Sequence, residues 1–408
     1  MKHALSDGGI GRALGYARFA QPQCRVVVLD GEYHLHGECI RALTAEGHHV
    51  ARVPVAVDER PADVVRKLLL CCVREKPDFV LSINQIGFDD QGMLAGLLEQ
   101  LSLPMAVWFV DSPLYVLRGM RAFAPSMTSY FSWERRYVTL LGQAGAEAVH
   151  YLPLASDPER FRLRDASCQR AVSFVGDSML GAQQRFRRRL STNAQRRVAP
   201  LVRELLADRQ FDLFDAKVTA SDRQRSDLLA YVTWQATGRY RCEVLSQIRS
   251  HRLHVYGDPG WSQLLPEAIT HGPLNYGEPL ADVYRTSAVN INMTSLQMPS
   301  AVNQRVFDVP LCGGFVISDR QSDLLELFDE QREVVCFNHV GELDEMVSYY
   351  ARRPAERQAI SRRARQRILA AHTYRHRLRE MIERLRERFA PLRQRSDASR
   401  QPSVASLG

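Results

Sequence analysis

The stretch S-A-V-N-Q-R-V-F-D-V-P-L-C-G-G-F-V-I-S-D, Ser300 to Asp319, decides the reading of this chain. It reads as a short helix, a glycine stop and a buried strand. The hydroxyl of Ser300 suits the cap of a first helical turn, and Ala301, Arg305 and Asp308 recur at helical spacing, on one face. Gly313 and Gly314 end the helix, because the left-handed residue needed there is usually glycine. Phe315, Val316 and Ile317 form an apolar run too short for a helix and fit a core strand. Asn303 and Gln304 fall in the expected first turn, where free backbone N–H groups can hold an anion. One turn on, Asp308 is placed to accept hydrogen bonds from a pair of sugar hydroxyls. The competing reading of the same residues is an ordinary amphipathic helix with a solvent-facing aspartate.

The same alternation runs through the rest of the chain. Upstream, β-branched runs predict strands over 24–30, 48–55, 78–84, 105–111, near Tyr130 and over 148–155, with helices over 37–47, 61–75, 90–101 and 134–143. Val64, Val65, Leu68, Leu69 and Cys72 share one face of the 61–75 helix. After a polar stretch, 156–169, the pattern restarts. Strands are predicted over 171–176, 251–257, 273–276, 288–294 and 334–338, with helices within 182–250 and over 278–287, 341–351 and 354–389. Strands alternating with helices of this length imply right-handed βαβ units and parallel sheets covered on both faces. Ligands of such sheets sit beyond the carboxyl ends of the strands. The loops after Asp30, Asn84 and Asp111 therefore lie on the functional edge.

The chain has 408 residues, 45% hydrophobic and 25% charged, which suits two globular domains. It lacks the apolar run of about 18 residues that a membrane-spanning helix needs. The first twenty residues show no apolar core followed by a small-residue cleavage site, so no secretory signal is expected. The eight cysteines form no C-x-x-C pair and no cluster with histidine at zinc spacing, which fits reduced thiols and a cytoplasmic location. The net charge of +8, with arginines concentrated between Arg352 and Arg395, favours anionic partners or a solvated basic helix face.

Several segments together resemble a known family. They are R-V-F-D-V-P-L-C-G-G-F-V-I-S-D, the turn L-L-E-L-F, V-V-C-F-N-H-V-G-E-L, and the distant H-T-Y-R-H-R, with V-W-F-V-D-S-P (107–113) and V-H-Y-L-P-L-A-S-D-P (149–158) in the first half. The chain resembles glycosyltransferase-like proteins of the spore-maturation CgeB type, within the GT-B glycosyltransferases, from about residue 24 to 385. The resemblance implies an α/β, GT-B fold: two facing Rossmann-like domains with an interdomain cleft. Between a polar, glycine-rich N-terminus expected to be flexible (1–23) and a Ser/Arg-rich tail expected to be disordered (393–408), it divides the chain into an acceptor domain (24–165), a nucleotide-sugar domain (166–373) and a helix crossing back to the first domain (374–392). It implies no metal and no cofactor, the nucleotide sugar being a substrate. Asp89–Asp90 and Asp7 lack the context of a metal-binding D-x-D motif.

Carried onto this sequence, the resemblance puts Asp308 on the ribose, where the family often has glutamate, and Arg305 with the backbone near Asn303 and Gln304 on the diphosphate. An ion pair between Arg305 and Asp308 is the alternative. Gly176 and Gly257 would let backbone approach the nucleotide, and Tyr256 and Tyr284 are candidates for stacking on its base, although core packing also accounts for them. Gly313 and Gly314 complete the donor segment. For the base that activates an acceptor hydroxyl, the candidates are His34 and His36, beside Asp30, and Asp111. His372 is expected to fix the hinge helix.

The paired-acid pattern of many retaining GT-B enzymes is broken, since position 300 is serine. Two readings stay open. One is a glycosyltransferase moving a sugar from a nucleotide sugar to a glycan, lipid-linked or protein acceptor, with no nucleic-acid partner. The other is a catalytically inactive GT-B-like protein that binds a glycan or a partner in cell-surface assembly. Arg362, Arg363, Arg365 and Arg367 suit a peripheral contact with the inner, anionic membrane face.

Overall fold

The structure, a computed structural model, describes residues 15–32, 34–89, 92–113, 126–211, 213 and 222–390. The expected tail 393–408, most of the N-terminal segment, Asp7 and Asp90 lie outside the described residues.

The first half alternates β1 (Arg25–Asp30), α1 (His34–Ala45), β2 (His49–Pro54), α2 (Pro61–Glu75), β3 (Phe79–Ile83), α3 (Met93–Gln100), β4 (Met105–Phe109), β5 (Thr128–Ser132), α4 (Arg135–Gln143) and β6 (Val149–Tyr151). Its strands form a parallel sheet in the order β2-β1-β3-β4-β5-β6. Every residue of β3, β4 and β5 is buried, as central strands covered on both faces must be. α2 starts on a proline whose missing N–H costs nothing at that position, and it buries Val64, Val65, Leu68, Cys71 and Cys72.

The second half runs β7 (Arg170–Val175), α5 (Leu180–Arg187), α6 (Thr192–Ala207), α7 (Asp222–Ser246), β8 (Leu253–Tyr256), α8 (Trp261–Leu264), β9 (Ile269–His271), α9 (Glu278–Thr286) and β10 (Ser287–Asn292). It continues with α10 (Arg305–Leu311), β11 (Val316–Asp319), α11 (Ser322–Leu327), β12 (Val335–Phe337), α12 (Leu343–Ala351), α13 (Pro354–Ala371) and α14 (Tyr374–Phe389). The parallel sheet order is β12-β11-β10-β7-β8-β9. That is the Rossmann order, with a reversal of direction between β7 and β10. In the first sheet the reversal falls between β1 and β3.

Three boundaries differ from the sequence expectation. α1 begins at His34, so His34 and His36 lie on a helix and not in a loop. The strand expected at 273–276 forms four residues earlier, as β9. α10 begins at Arg305 and not after Ser300, because Ser300 has another partner: its N–H and hydroxyl both go to Glu134 of the first domain. The side chain of Asn303 takes the Arg305 N–H at 3.1 Å and does the capping instead.

α14 packs across the first domain. Arg377 donates to the Pro153 and Leu154 carbonyls, Arg379 pairs with Glu46 at 2.8 Å, and Met381, Leu385 and Phe389 join the first domain's core. That core is continuous through the junction, taking in Tyr284 and Phe307 from the second half.

Candidate functional site

The reversal between β7 and β10 is where an open α/β sheet leaves a crevice for a ligand. Two loops flank it, Gly176–Met179 after β7 and Met293–Gln304 after β10. Asp258 fixes the first loop, accepting the Ser178 N–H at 2.5 Å, the Ser178 hydroxyl at 2.7 Å and the Gly260 N–H at 2.8 Å. Asp319 fixes the second, accepting the Thr294 N–H at 3.0 Å and its hydroxyl at 2.7 Å. Asp319 also neutralises Arg209, at 2.9 Å.

Arg241, on α7, reaches the same crevice and has no such partner. It is 4% exposed, and its one hydrogen bond among the described residues goes to the Asp177 carbonyl at 2.6 Å. Its Nε has no acceptor. Burial pushes its pKa down to about 9, and the nearby positive charge of Arg305 acts in the same direction. Arg305 itself has no carboxylate partner among the described residues; the alternative ion pair with Asp308 does not form. The charge of Arg305 is thus felt at Arg241, against the opposing pull of the Asp177, Asp319 and Asp258 carboxylates, none of which bonds to Arg241 among the described residues. Such an arrangement is costly unless an anion completes it, and guanidiniums suit phosphate oxygens by their planar fork.

Several of the sequence-predicted residues are used otherwise. Asp308 is 1% exposed and turned into the domain junction, where it accepts from the Ser156 hydroxyl and from Tyr276 at 3.2 Å. Burial drives its pKa well above the usual carboxylate range, against the pull of those hydrogen bonds. The expectation of an open carboxylate gripping a ribose is corrected accordingly. His36 is buried beside Asp30, its Nδ1 3.5 Å away, and so is not the accessible base expected. Asp30 is itself held by Arg52 and the Glu32 N–H; burial raises its pKa, but those bonds prevail and hold it below the usual range. His34 is the first residue of α1.

Tyr256 stacks on His271 at 4.3 Å and Tyr284 lies against Phe161 at 6.3 Å, and both rings are buried in the core. A Cβ at Gly257 would sit 2.2 Å from the Gly176 carbonyl oxygen, and one at Gly176 would sit 2.7 Å from the Phe174 ring. The close approach these glycines permit is between two segments of this chain. Asn303 donates to the Met293 carbonyl at 3.2 Å and shapes the loop. Gly313, at φ +94°, and Gly314 lie at the amino end of β11, away from the switch point, Gly314 packed on the Tyr284 carbonyl. Gln304 is the N-cap residue of α10.

Asp111 stands at the carboxyl end of β4, on the edge of the first sheet. Asn84, in the left-handed conformation at φ +52°, donates to it at 2.9 Å and accepts the Val110 N–H. His372 sits between α13 and α14, its Nε2 3.1 Å from the Leu327 carbonyl and its Nδ1 3.1 Å from Arg377. Burial first, and then Arg377, depress its pKa to about 4.

Two residues escaped the sequence reading. Arg241 is one arginine among many, and its burial beside the loop after β7 is what sets it apart. Glu134, 1% exposed, accepts the N–H groups of Ser300 at 3.0 Å and Ala301 at 2.9 Å, the Ser300 hydroxyl at 2.8 Å and the Arg136 N–H at 3.1 Å. A glutamate ahead of a helix signals a cap, but nothing local signals its partners in the other domain. Among the described residues no three His, Cys, Asp or Glu side chains cluster as a metal site needs, and no helix is long and apolar enough to cross a membrane.

A family model described as glycosyl transferase-like matches residues 239–383. No curated protein matches the chain. Among solved structures, the sucrose-phosphate synthase of Thermosynechococcus elongatus is similar over 90% of this chain and 99% of its own, with 12% identity and a TM-score of 0.52. Anabaena Alr3699/HepE in complex with UDP-glucose is similar over 90% of this chain and 100% of its own, with 10% identity and a TM-score of 0.53. The likeness is one of fold: two parallel sheets flanked by helices, in a GT-B-like two-domain arrangement.

Proposed function

We propose that this protein is a glycosyltransferase that binds the diphosphate of a nucleotide sugar between Arg241 and Arg305. The observation that carries the reading is Arg241, buried at the switch point of the second sheet on the Asp177 carbonyl, with no bonded carboxylate among the described residues and within electrostatic reach of Arg305. When a glycosyl bond breaks, negative charge grows on the departing diphosphate, and fixed positive groups in a water-poor site stabilise it most effectively. Arg241 is already ordered by the Asp177 carbonyl and needs little rearrangement to meet it. The similar Anabaena protein was solved with UDP-glucose, and with UDP and glucose, which makes a uridine diphosphate sugar the first donor to try.

On the facing sheet, Asp111 is the group assigned to the acceptor hydroxyl, held in place by Asn84. The segments quoted for the CgeB-type resemblance agree with a glycan, lipid-linked or protein acceptor. Peripheral membrane contact through the arginines of α13 has less support: Arg363 donates to the Arg332 carbonyl, Arg365 to the Leu311 carbonyl, and Arg367 pairs with Glu333.

The test is a thermal-shift panel of nucleoside diphosphates and nucleotide sugars. A nucleotide present at about a hundredfold over its Kd adds about 2.7 kcal/mol to stability, a clear rise in melting temperature. The shift is expected for the wild type and is expected to vanish in Arg241→Gln. If no nucleotide shifts the wild type at millimolar concentration, or the variant shifts equally, the reading is wrong. Turnover of the shifting nucleotide sugar then separates a transferase from a binding protein of the same fold.

A further inference from the structure

A second basic cavity lies at the opposite end of the same sheet. It has a volume of about 540 Å³ and is bounded by the interdomain segment 163–168, the amino ends of β10 and β11, and the first three turns of α13. Arg164, Arg285, Arg357, Arg362 and Arg365 line it, against Asp165 alone. The volume falls within the range of small-ligand pockets, about 300–1,000 Å³.

Two lining side chains have unmet hydrogen-bonding groups inside the protein. The Arg285 side chain is 6% exposed; its Nη2 pairs with Glu278 and its Nε lies 3.7 Å from Asp282, yet its Nη1 has no acceptor. Ser361 is 5% exposed, and its hydroxyl has no partner. Buried polar groups are nearly always satisfied, so a donor and a hydroxyl left open on one basic cavity point to a ligand. The remaining arginines are steadied by backbone and by one acid: Arg357 on the Ala351 carbonyl at 2.9 Å, Arg365 on the Leu311 carbonyl at 3.2 Å, and Arg164 on Glu278 at 2.8 Å. Arg362 is exposed and has no partner among the described residues.

We propose that this cavity is a second anion site, separate from the switch point, which takes a small molecule carrying one or more phosphate groups. Guanidiniums around a concave surface fit phosphate oxygens by paired N–H donors, and the Ser361 hydroxyl supplies a further bond. A ligand held there bridges the interdomain segment and α13, which both line the cavity.

The probe is inorganic pyrophosphate, titrated calorimetrically into the full chain. Titrations are run in the wild type and in Arg241→Gln, which removes binding at the switch point from the signal. Arg362→Glu in that background is expected to weaken binding at least about tenfold, equivalent to about 1.4 kcal/mol. Ser361→Ala, a change too small to disturb the fold, is expected to weaken it several-fold. Equal affinity in Arg362→Glu, or no binding at millimolar pyrophosphate, overturns the proposal. Vesicles containing phosphatidylglycerol form a parallel arm. Arg362-dependent capture on them without pyrophosphate binding assigns the surface to a lipid headgroup and overturns the small-molecule site.

Discussion

Arg241 and Asp308 show how burial changes what a charged residue can do. Arg241 has its pKa lowered to about 9 by burial first, and then by the charge of Arg305, against the pull of Asp177, Asp319 and Asp258. Its charge is lost as pH rises through that value, so affinity for a nucleoside diphosphate should fall between pH 8 and pH 10, where an ordinary arginine would stay charged. Calorimetric titration across that range checks this; an affinity constant up to pH 10 would contradict it. Asp308 behaves in the opposite sense. Its pKa is raised by burial, so the stability it contributes is present below its unfolded pKa and is lost as pH rises through the folded one. Asp308→Asn should therefore leave stability at pH 8 unchanged or raise it, while retaining nucleotide binding. A loss of binding in that variant would restore the ribose role that sequence spacing suggests.

At the scale of elements, the loop before α10 is held by Glu134 from the other domain. Glu134→Ala leaves the buried Ala301 N–H and the half-buried Ser300 N–H without acceptors and should cost roughly 3 kcal/mol, given about 1–3 kcal/mol for a buried one. Glu134→Gln keeps one acceptor oxygen and should cost less. Denaturant unfolding of both variants measures the difference, and equal losses would argue against the cap. The strands were legible in sequence because a parallel strand buried on both faces is a plain apolar run, as in V-V-V-L or M-A-V-W-F. The start of α10 was not, because Ser300 looks like a cap until its hydroxyl is seen on Glu134. That slip turned Asp308 toward the wrong surroundings. Arg305 belongs to the segment that the sequence singles out, whereas Arg241, more than sixty residues earlier, comes within reach of its charge only through the fold.

On the scale of the whole molecule, the apolar core of the first half runs on into the second, whose own sheet also packs a separate cluster. Val27 and Trp108 of the first sheet, Phe307 of α10, and Tyr374 and Leu385 of α14 belong to one packed cluster. α14 is thus part of the first domain's core although it follows the second domain in sequence. Leu385→Ala should cost about 2–5 kcal/mol. Because the cluster spans the junction, calorimetry should show one endotherm that moves as a unit. Two endotherms, only one of them displaced, would show that the halves unfold independently. The architecture was legible from the alternation of strands and helices; the shared core was not, since it depends on where α14 lands.

The central claim is that Arg241 and Arg305 together hold a nucleotide's diphosphate. Its most direct measurement is the calorimetric affinity for UDP and for uridine in the wild type, Arg241→Gln, Arg305→Gln and Asp308→Asn. The account predicts tight UDP binding, weak uridine binding, a loss of about tenfold or more for UDP in each arginine variant with little change for uridine, and no loss in Asp308→Asn. UDP affinity unchanged by removing either arginine, or abolished by Asp308→Asn alone, would contradict it.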